Sequence, residues 1–179
     1  RAEIQADAAV AQTVGMRLLH QEFSPSRVSF EAEDLWSAVP PPPAGSPKQV
    51  LDGAVAIPGS LRILKVTGLK PGTYELKAGA EVLAKAADDQ WAKGVSIKAP
   101  TSEVQRVERL RAMIVAKNFG YFNYQRPEND SYILAFRKGE QGRNAVEIPQ
   151  FLPLVEQKEA EIEKLRVPQP VSYTLEPAK

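Results

Sequence analysis

Between Arg126 and Phe151 the chain reads RPENDSYILAFRKGEQGRNAVEIPQF. Arg126, Arg137, Lys138 and Arg143 supply cations and Asn144 an amide. Glu128, Asp130, Glu140 and Glu147 are interleaved with them, and Tyr132 and Phe136 lie between. Planar guanidinium groups grip carboxylates through paired N–H donors. This composition therefore suits an internal polar network or a binding surface, and it is too rich for a linker. A long segment without regular structure is usually functional or disordered, and balanced charge with aromatics argues against disorder. The expectation is an ordered segment in which Arg126, Arg137 and Arg143 each meet a carboxylate or a backbone carbonyl. Just upstream, Phe119, Tyr121, Phe122 and Tyr124 form an aromatic run that can stack on the apolar face of a sugar ring. The competing reading puts Phe119 and Phe122 in the core and leaves the tyrosine hydroxyls wet. The candidate residues are thus Tyr121, Tyr124, Arg126, Arg137, Lys138, Glu140, Arg143, Asn144 and Glu147, with a structural role favoured over ligand binding.

Other chemistry finds little support. The only imidazole is His20, and Ser24 follows four residues later without a glycine-rich elbow to present it. At the end of a first helix, His20 reads as a terminal residue favoured by the helix dipole. There is no cysteine, which removes disulfides, thiolate metal sites and a thiol nucleophile. Asp88–Asp89 and Glu31/Glu33/Asp34 lack the spaced ligands of a calcium loop, so no metal or cofactor is expected. Gly139-Glu-Gln-Gly142 has no following Lys-Ser/Thr and is not a phosphate loop. Asp130, Glu140 and Glu147 are the candidates for a glycosidase-type carboxylate pair, although acids beside Arg and Lys more often form ion pairs.

The elements that must position these residues follow from periodicity and punctuation. A net charge of +1 gives no field for nucleic acid, and no apolar run is long enough to span a bilayer. Residues 1–20 read as a helix docked on a preceding domain, since Ile4, Ala8, Ala11, Val14 and Leu18 recur at spacings of three and four. The chain begins at Arg1 without Met, which suggests a fragment of something longer. Residues 21–47 read as an irregular connector with a short strand at Val28 and Phe30. It ends in Pro40–Pro43, a stiff polyproline segment or a ligand for a proline-recognising partner. Residues 48–99 read as β, beginning with a candidate around Val50, Ala54 and Ile57. Pro71-Gly72 marks a turn, and Tyr74 resembles a tyrosine corner. Ala78-Gly79-Ala80-Glu81 is the next turn. A helical turn over 88–92, with Asp88 able to cap it, sets Trp91 against the sheet. Residues 100–179 hold an amphipathic helix over 102–124, another over 153–165, and an edge strand at 171–175. The fold class is α+β: a small antiparallel β-sandwich-like region flanked by an N-terminal helix and two C-terminal amphipathic helices.

Three segments carry a family resemblance: LKVTGLKPGTYEL (64–76), Trp91-Ala-Lys-Gly-Val95, and the run from Arg126 to Pro168. Together they resemble the C-terminal region of SGNH/GDSL-type hydrolases from exported, planctomycete-like bacterial proteins. In that family an N-terminal α/β domain carries a Gly-Asp-Ser block and a later Asp-x-x-His block, and residues 1–19 are similar to the helix that follows the latter. Neither block occurs in this sequence, so no family catalytic residue is carried onto it. The resemblance implies a non-catalytic portion of an ester hydrolase acting on acylated carbohydrate, in an exported, periplasmic or extracellular protein. Its partner would be the missing catalytic domain or another chain of the same complex. The alternative from a different class is an autonomous binding or structural module of an exported complex, contacting carbohydrate or protein through residues 119–147.

Overall fold

The computed structural model of the chain describes residues 2–5, 8–35, 62–125 and 148–178. Of the irregular connector expected at 21–47, residues 36–47 lie outside them, as do the first β candidate around Val50–Ile57 and the polar stretch 126–147; residues 21–34 are not irregular but strand on either side of a turn at 25–26. The chain divides into two compact units, Arg1–Gln105 with Pro168–Lys179, and Arg106–Val167.

Among the described residues the first unit holds nine strands. They are β1 (Ala2–Gln5), β2 (Ala8–Thr13), β3 (Met16–Ser24), β4 (Arg27–Asp34), β5 (Arg62–Thr67), β6 (Thr73–Ala78), β7 (Glu81–Ala87), β8 (Val95–Ile97) and β9 (Val171–Pro177). A short helix α1 (Asp88–Lys93) sits between β7 and β8. One sheet is five-stranded and antiparallel, in the order β3-β4-β9-β6-β7. In the other, β8 pairs antiparallel with β5, β1 pairs parallel with β5, and β2 closes the order β2-β1-β5-β8. The fold class is α+β.

Strand alternation builds the core. Val28, Phe30 and Ala32 on β4, Tyr74 and Leu76 on β6, Leu83 on β7, and Tyr173 and Leu175 on β9 are buried, and Leu64 and Val66 on β5 join the same cluster. Their odd-even neighbours Ser29, Glu31, Glu75, Lys77 and Thr174 point to the opposite face, as a period of two requires. Trp91 of α1 fills one end of this core and donates its indole N–H to the Ala86 carbonyl at 3.2 Å. Gly94 then ends α1 at φ 108°, a value open to glycine. Asp88 does not cap α1. It is the first helical residue, and its carboxylate accepts the Gly72 N–H at 3.0 Å, locking the 71–72 turn to the helix start.

Two expectations are corrected. The helix expected over residues 1–20 is not found among the described residues there, which form β1, β2 and the first half of β3. Gly15 stands at φ 78° between β2 and β3, a conformation outside a right-handed helix, and the Gly15 carbonyl accepts from Leu35 N at 2.9 Å. A three-four spacing of small residues is ambiguous by itself, and pairing with β5 decides it. The C-terminal strand is not at an edge. β9 lies in the middle of the five-stranded sheet, between β4 and β6, which is why Tyr173 and Leu175 are buried.

The helix α2 (Thr101–Gln125) starts in the first unit and runs through the second, which also holds a 3-10 turn (Ile148–Gln150) and α3 (Phe151–Arg166). The two long helices match the expected ones to within two residues at each end. Within the second unit α2 and α3 pack antiparallel: the Arg106 guanidinium donates to the Leu165 carbonyl, Lys117 pairs with Glu159 at 3.5 Å, and Gly120 lies against Val155. A Cβ at Gly120 would come 3.3 Å from a Val155 methyl, so a glycine here lets the helices approach closely. None of the helices among the described residues is long and apolar enough to cross a membrane.

Candidate functional site

The structure places two of the nine candidate residues, and both lie on the last turns of α2. Tyr121 and Tyr124, three residues apart on one helix, face each other with ring centroids 6.4 Å apart and planes tilted by 49°. Tyr121 is half exposed and Tyr124 intermediate. Arg126, Arg137, Lys138, Glu140, Arg143, Asn144 and Glu147 lie outside the described residues, as does the network expected around them. The aromatic run is not a core cluster: Phe119 is 70% and Phe122 48% exposed. The reading that buried them is therefore corrected.

The residues weighed for nucleophilic chemistry have other tasks. His20 sits on β3 at a register shift between Leu18 and Gln21, not at a helix end. Its side chain is 86% exposed, with Nε2 3.6 Å from the Glu31 carboxylate. Ser24 closes the β3–β4 turn, its hydroxyl accepting the Arg27 N–H and lying 3.0 Å from the Arg27 carbonyl. A hydroxyl tied into a turn on both sides is not poised to attack. Glu31 and Glu33 face His20 and Arg17 respectively, and Asp89 pairs with Lys93, which holds its carboxyl below the usual range. Among the described residues no three His, Cys, Asp or Glu side chains converge to hold a metal ion.

A polar cluster largely shut off from solvent is one that local sequence does not reveal. Arg62 of β5 pairs with Asp34 at the end of β4, with side chains only 15% and 19% exposed. Tyr173 lies beside them and stacks on Phe30, with centroids 5.1 Å apart and planes within 16°. Burial pushes the Tyr173 phenol up to about 12, against the opposing pull of the neighbouring Arg62 cation. Met16, Ile63, Leu64 and Ile97 complete the lining of a cavity of about 30 Å³ here, room for about one water and too small for a substrate. Asp34, Arg62 and Tyr173 come from three strands joined only in the tertiary structure. A phenol held neutral beside an ion pair serves as a hydrogen-bonding group, not as a base at neutral pH.

Glu81 holds the start of α2. The Thr101 N–H and hydroxyl donate to its two carboxylate oxygens at 2.9 and 2.8 Å. These bonds hold the Glu81 carboxyl below its usual range and place a negative charge at the N-terminus of α2, where the helix dipole favours it. The start of α2 is thus capped by a side chain from a strand twenty residues upstream. Its signal, an acid just after a hairpin turn, does not identify its partner. On the solvent face of the five-stranded sheet, Lys77 bridges Glu176 at 2.9 Å and Glu75 at 3.5 Å, and Lys85 reaches Glu75 at 2.8 Å.

No family model matches this sequence, and no curated protein matches it. Among solved structures, a gut microbial diltiazem-metabolizing enzyme superposes on 99% of the chain with a TM-score of 0.67 at 15% sequence identity. The chain spans 49% of that enzyme's length. At this identity the likeness is one of fold.

Proposed function

We propose that this chain is a non-catalytic module of an SGNH/GDSL-type ester hydrolase, packing on the catalytic domain and shaping the cleft in which an acylated carbohydrate is bound. The observation that carries the reading is the fold likeness: nearly the whole chain corresponds to about half of a longer microbial enzyme. It agrees with the resemblance of residues 64–76, 91–95 and 126–168 to the downstream part of such hydrolases. The absence of Gly-Asp-Ser and Asp-x-x-His blocks from the sequence, with Ser24 engaged in a turn and His20 exposed on β3, supports assigning the chemistry to another domain. An exported, periplasmic or extracellular location belongs to the same reading.

The test is hydrolysis of p-nitrophenyl acetate and of acetylated xylan. The 179-residue chain alone is expected to show no turnover above buffer, and the intact product of its gene to hydrolyse both. Turnover by the isolated chain that is abolished by His20→Ala would place the active site here and overturn the proposal.

A second reading rests on the Tyr121–Tyr124 pair, in which the half-exposed Tyr121 ring suits stacking on sugar. It makes the chain an autonomous carbohydrate-binding module. Binding of xylo-oligosaccharides to the isolated chain, lost in Tyr121→Ala without a change in melting temperature, supports it over the first.

A further inference from the structure

The helix α2 carries apolar residues on two faces. One face turns to α3: Val107 is buried, Leu110 and Met113 are partly covered, and Gly120 meets Val155. The other consists of Ala112, Val115, Phe119 and Phe122, spaced three, four and three residues apart, so that they form one continuous stripe. All four are exposed, Val115 to 63%, Phe119 to 70% and Phe122 to 48%. On α3 of the same unit, Leu152 and Leu154 are also exposed, at 36% and 51%. Singly exposed apolar residues are ordinary, but an aligned row of large ones marks an interaction surface.

The size of the stripe argues for its occupant. Ten residues of helix extend about 15 Å, and two phenylalanines with a valine bury on the order of 400 Å². A free-standing dimer needs about 800 Å² from each partner. The stripe is too small to hold a second copy by itself, and it suits an anchor within an association reinforced elsewhere, where a high effective concentration makes a modest apolar contact sufficient. The solved enzyme of like fold contains about as much chain again beyond the part this fold matches.

We infer that the Val115–Phe119–Phe122 stripe of α2 is the docking face for the catalytic domain, received in an apolar groove on that domain. This inference rests on the functional reading above and names its interface.

The sequence contains no cysteine, so single substitutions Val115→Cys and Phe122→Cys give unique thiols at exposed positions. Maleimide labelling rates are measured for each variant in the isolated chain and in the intact protein or complex that contains the SGNH-type domain. Labelling is expected to be rapid in the isolated chain and at least tenfold slower beside the catalytic domain. A thiol on the outer sheet face, Thr174→Cys, serves as the control whose rate does not change. Equal rates in both contexts, with the catalytic domain present and active, overturn the docking face and leave the functional reading standing. Slow labelling in the isolated chain also overturns it: a dimer by sedimentation assigns the stripe to a second copy, and a monomer to another segment of this chain. If no ester-hydrolase domain is encoded with the chain, in the same polypeptide or as a partner subunit, the functional reading and this inference fall together.

Discussion

The Tyr74 hydroxyl lies 3.0 Å from the Lys70 carbonyl, four residues upstream, and 3.3 Å from the Pro25 carbonyl in the β3–β4 turn. One buried phenol thus ties the loop before β6 to a turn far away in sequence, and Lys70 N adds a 2.8 Å bond to the same Pro25 carbonyl. Removing the hydroxyl in Tyr74→Phe leaves the Lys70 carbonyl short of a partner, at a cost of about 1–2 kcal/mol. Urea denaturation should show a lower midpoint with an unchanged slope. A midpoint equal to the parent's would mean that the hydroxyl contributes nothing.

Asp34 and Arg62 form an ion pair largely shut off from solvent, and each single loss strands a charge in a poorly solvated site. Fully buried pairs lose ~3–5 kcal/mol when one partner is removed. With 15% and 19% of these side chains exposed, about 2 kcal/mol for Asp34→Ala or Arg62→Ala is the reasonable expectation. The double substitution should cost less than the sum of the two. A double-mutant cycle with additive effects would show that the two side chains do not interact.

Tyr173 imposes an alkaline limit. Its phenol is held at about 12, against an ordinary 10.0, chiefly by burial. The unfolded chain therefore releases this proton first. The contribution is complete below pH 10 and is lost as pH rises from 10 towards 12. At about 1.4 kcal/mol per pKa unit, the loss amounts to ~2–3 kcal/mol. In Tyr173→Phe the decline in stability between pH 10 and 12 should be visibly shallower, and an identical slope would exclude Tyr173 as its source.

Glu81 imposes an acid limit of the opposite sign. Its folded-state pKa is depressed below 4.5 by the bonds from Thr101. The stabilisation it gives is present above pH 4.5 and fades as pH falls through the depressed value. Glu81→Gln should melt lower than the parent at pH 7, and the gap should narrow on acidification. A gap that stays constant from pH 7 to pH 3 would show that the charge at the start of α2 is immaterial.

Much of this fold was legible because its determinants are local. Gly79 at φ 60° makes the two-residue loop between β6 and β7, where the sequence Ala-Gly-Ala-Glu predicts a turn. Trp91 packs at the end of the core, Gly94 stops α1, and the 3.6-residue period of α2 and α3 locates both helices. Each of these signals lies within one turn or one helix of the residues it governs. In the candidate site, the Tyr121–Tyr124 pair follows from a three-residue spacing on a helix that could be foreseen. The exposure of Phe119 and Phe122 could not, because α2 has apolar residues on both sides and only packing decides which side α3 covers.

The remaining features belong to the tertiary structure. Ala2–Gln5 becomes a strand by pairing in parallel with Leu64–Thr67, a partner some sixty residues away that no local period reports. Val171–Pro177 alternates like any edge strand, yet it is central because β4 and β6 leave a gap between them. Asp34, Arg62 and Tyr173 meet, and Glu81 caps α2, only once the sheets are formed. Local propensity shifts a short segment by a few tenths of a kcal/mol per residue, whereas insertion into a sheet satisfies every backbone donor and acceptor along a strand and buries one of its faces. For segments of four to seven residues the second effect outweighs the first. Residue spacing alone therefore determined the long helices and tight turns of this protein, and long-range pairing decided its terminal strands and its buried polar centre.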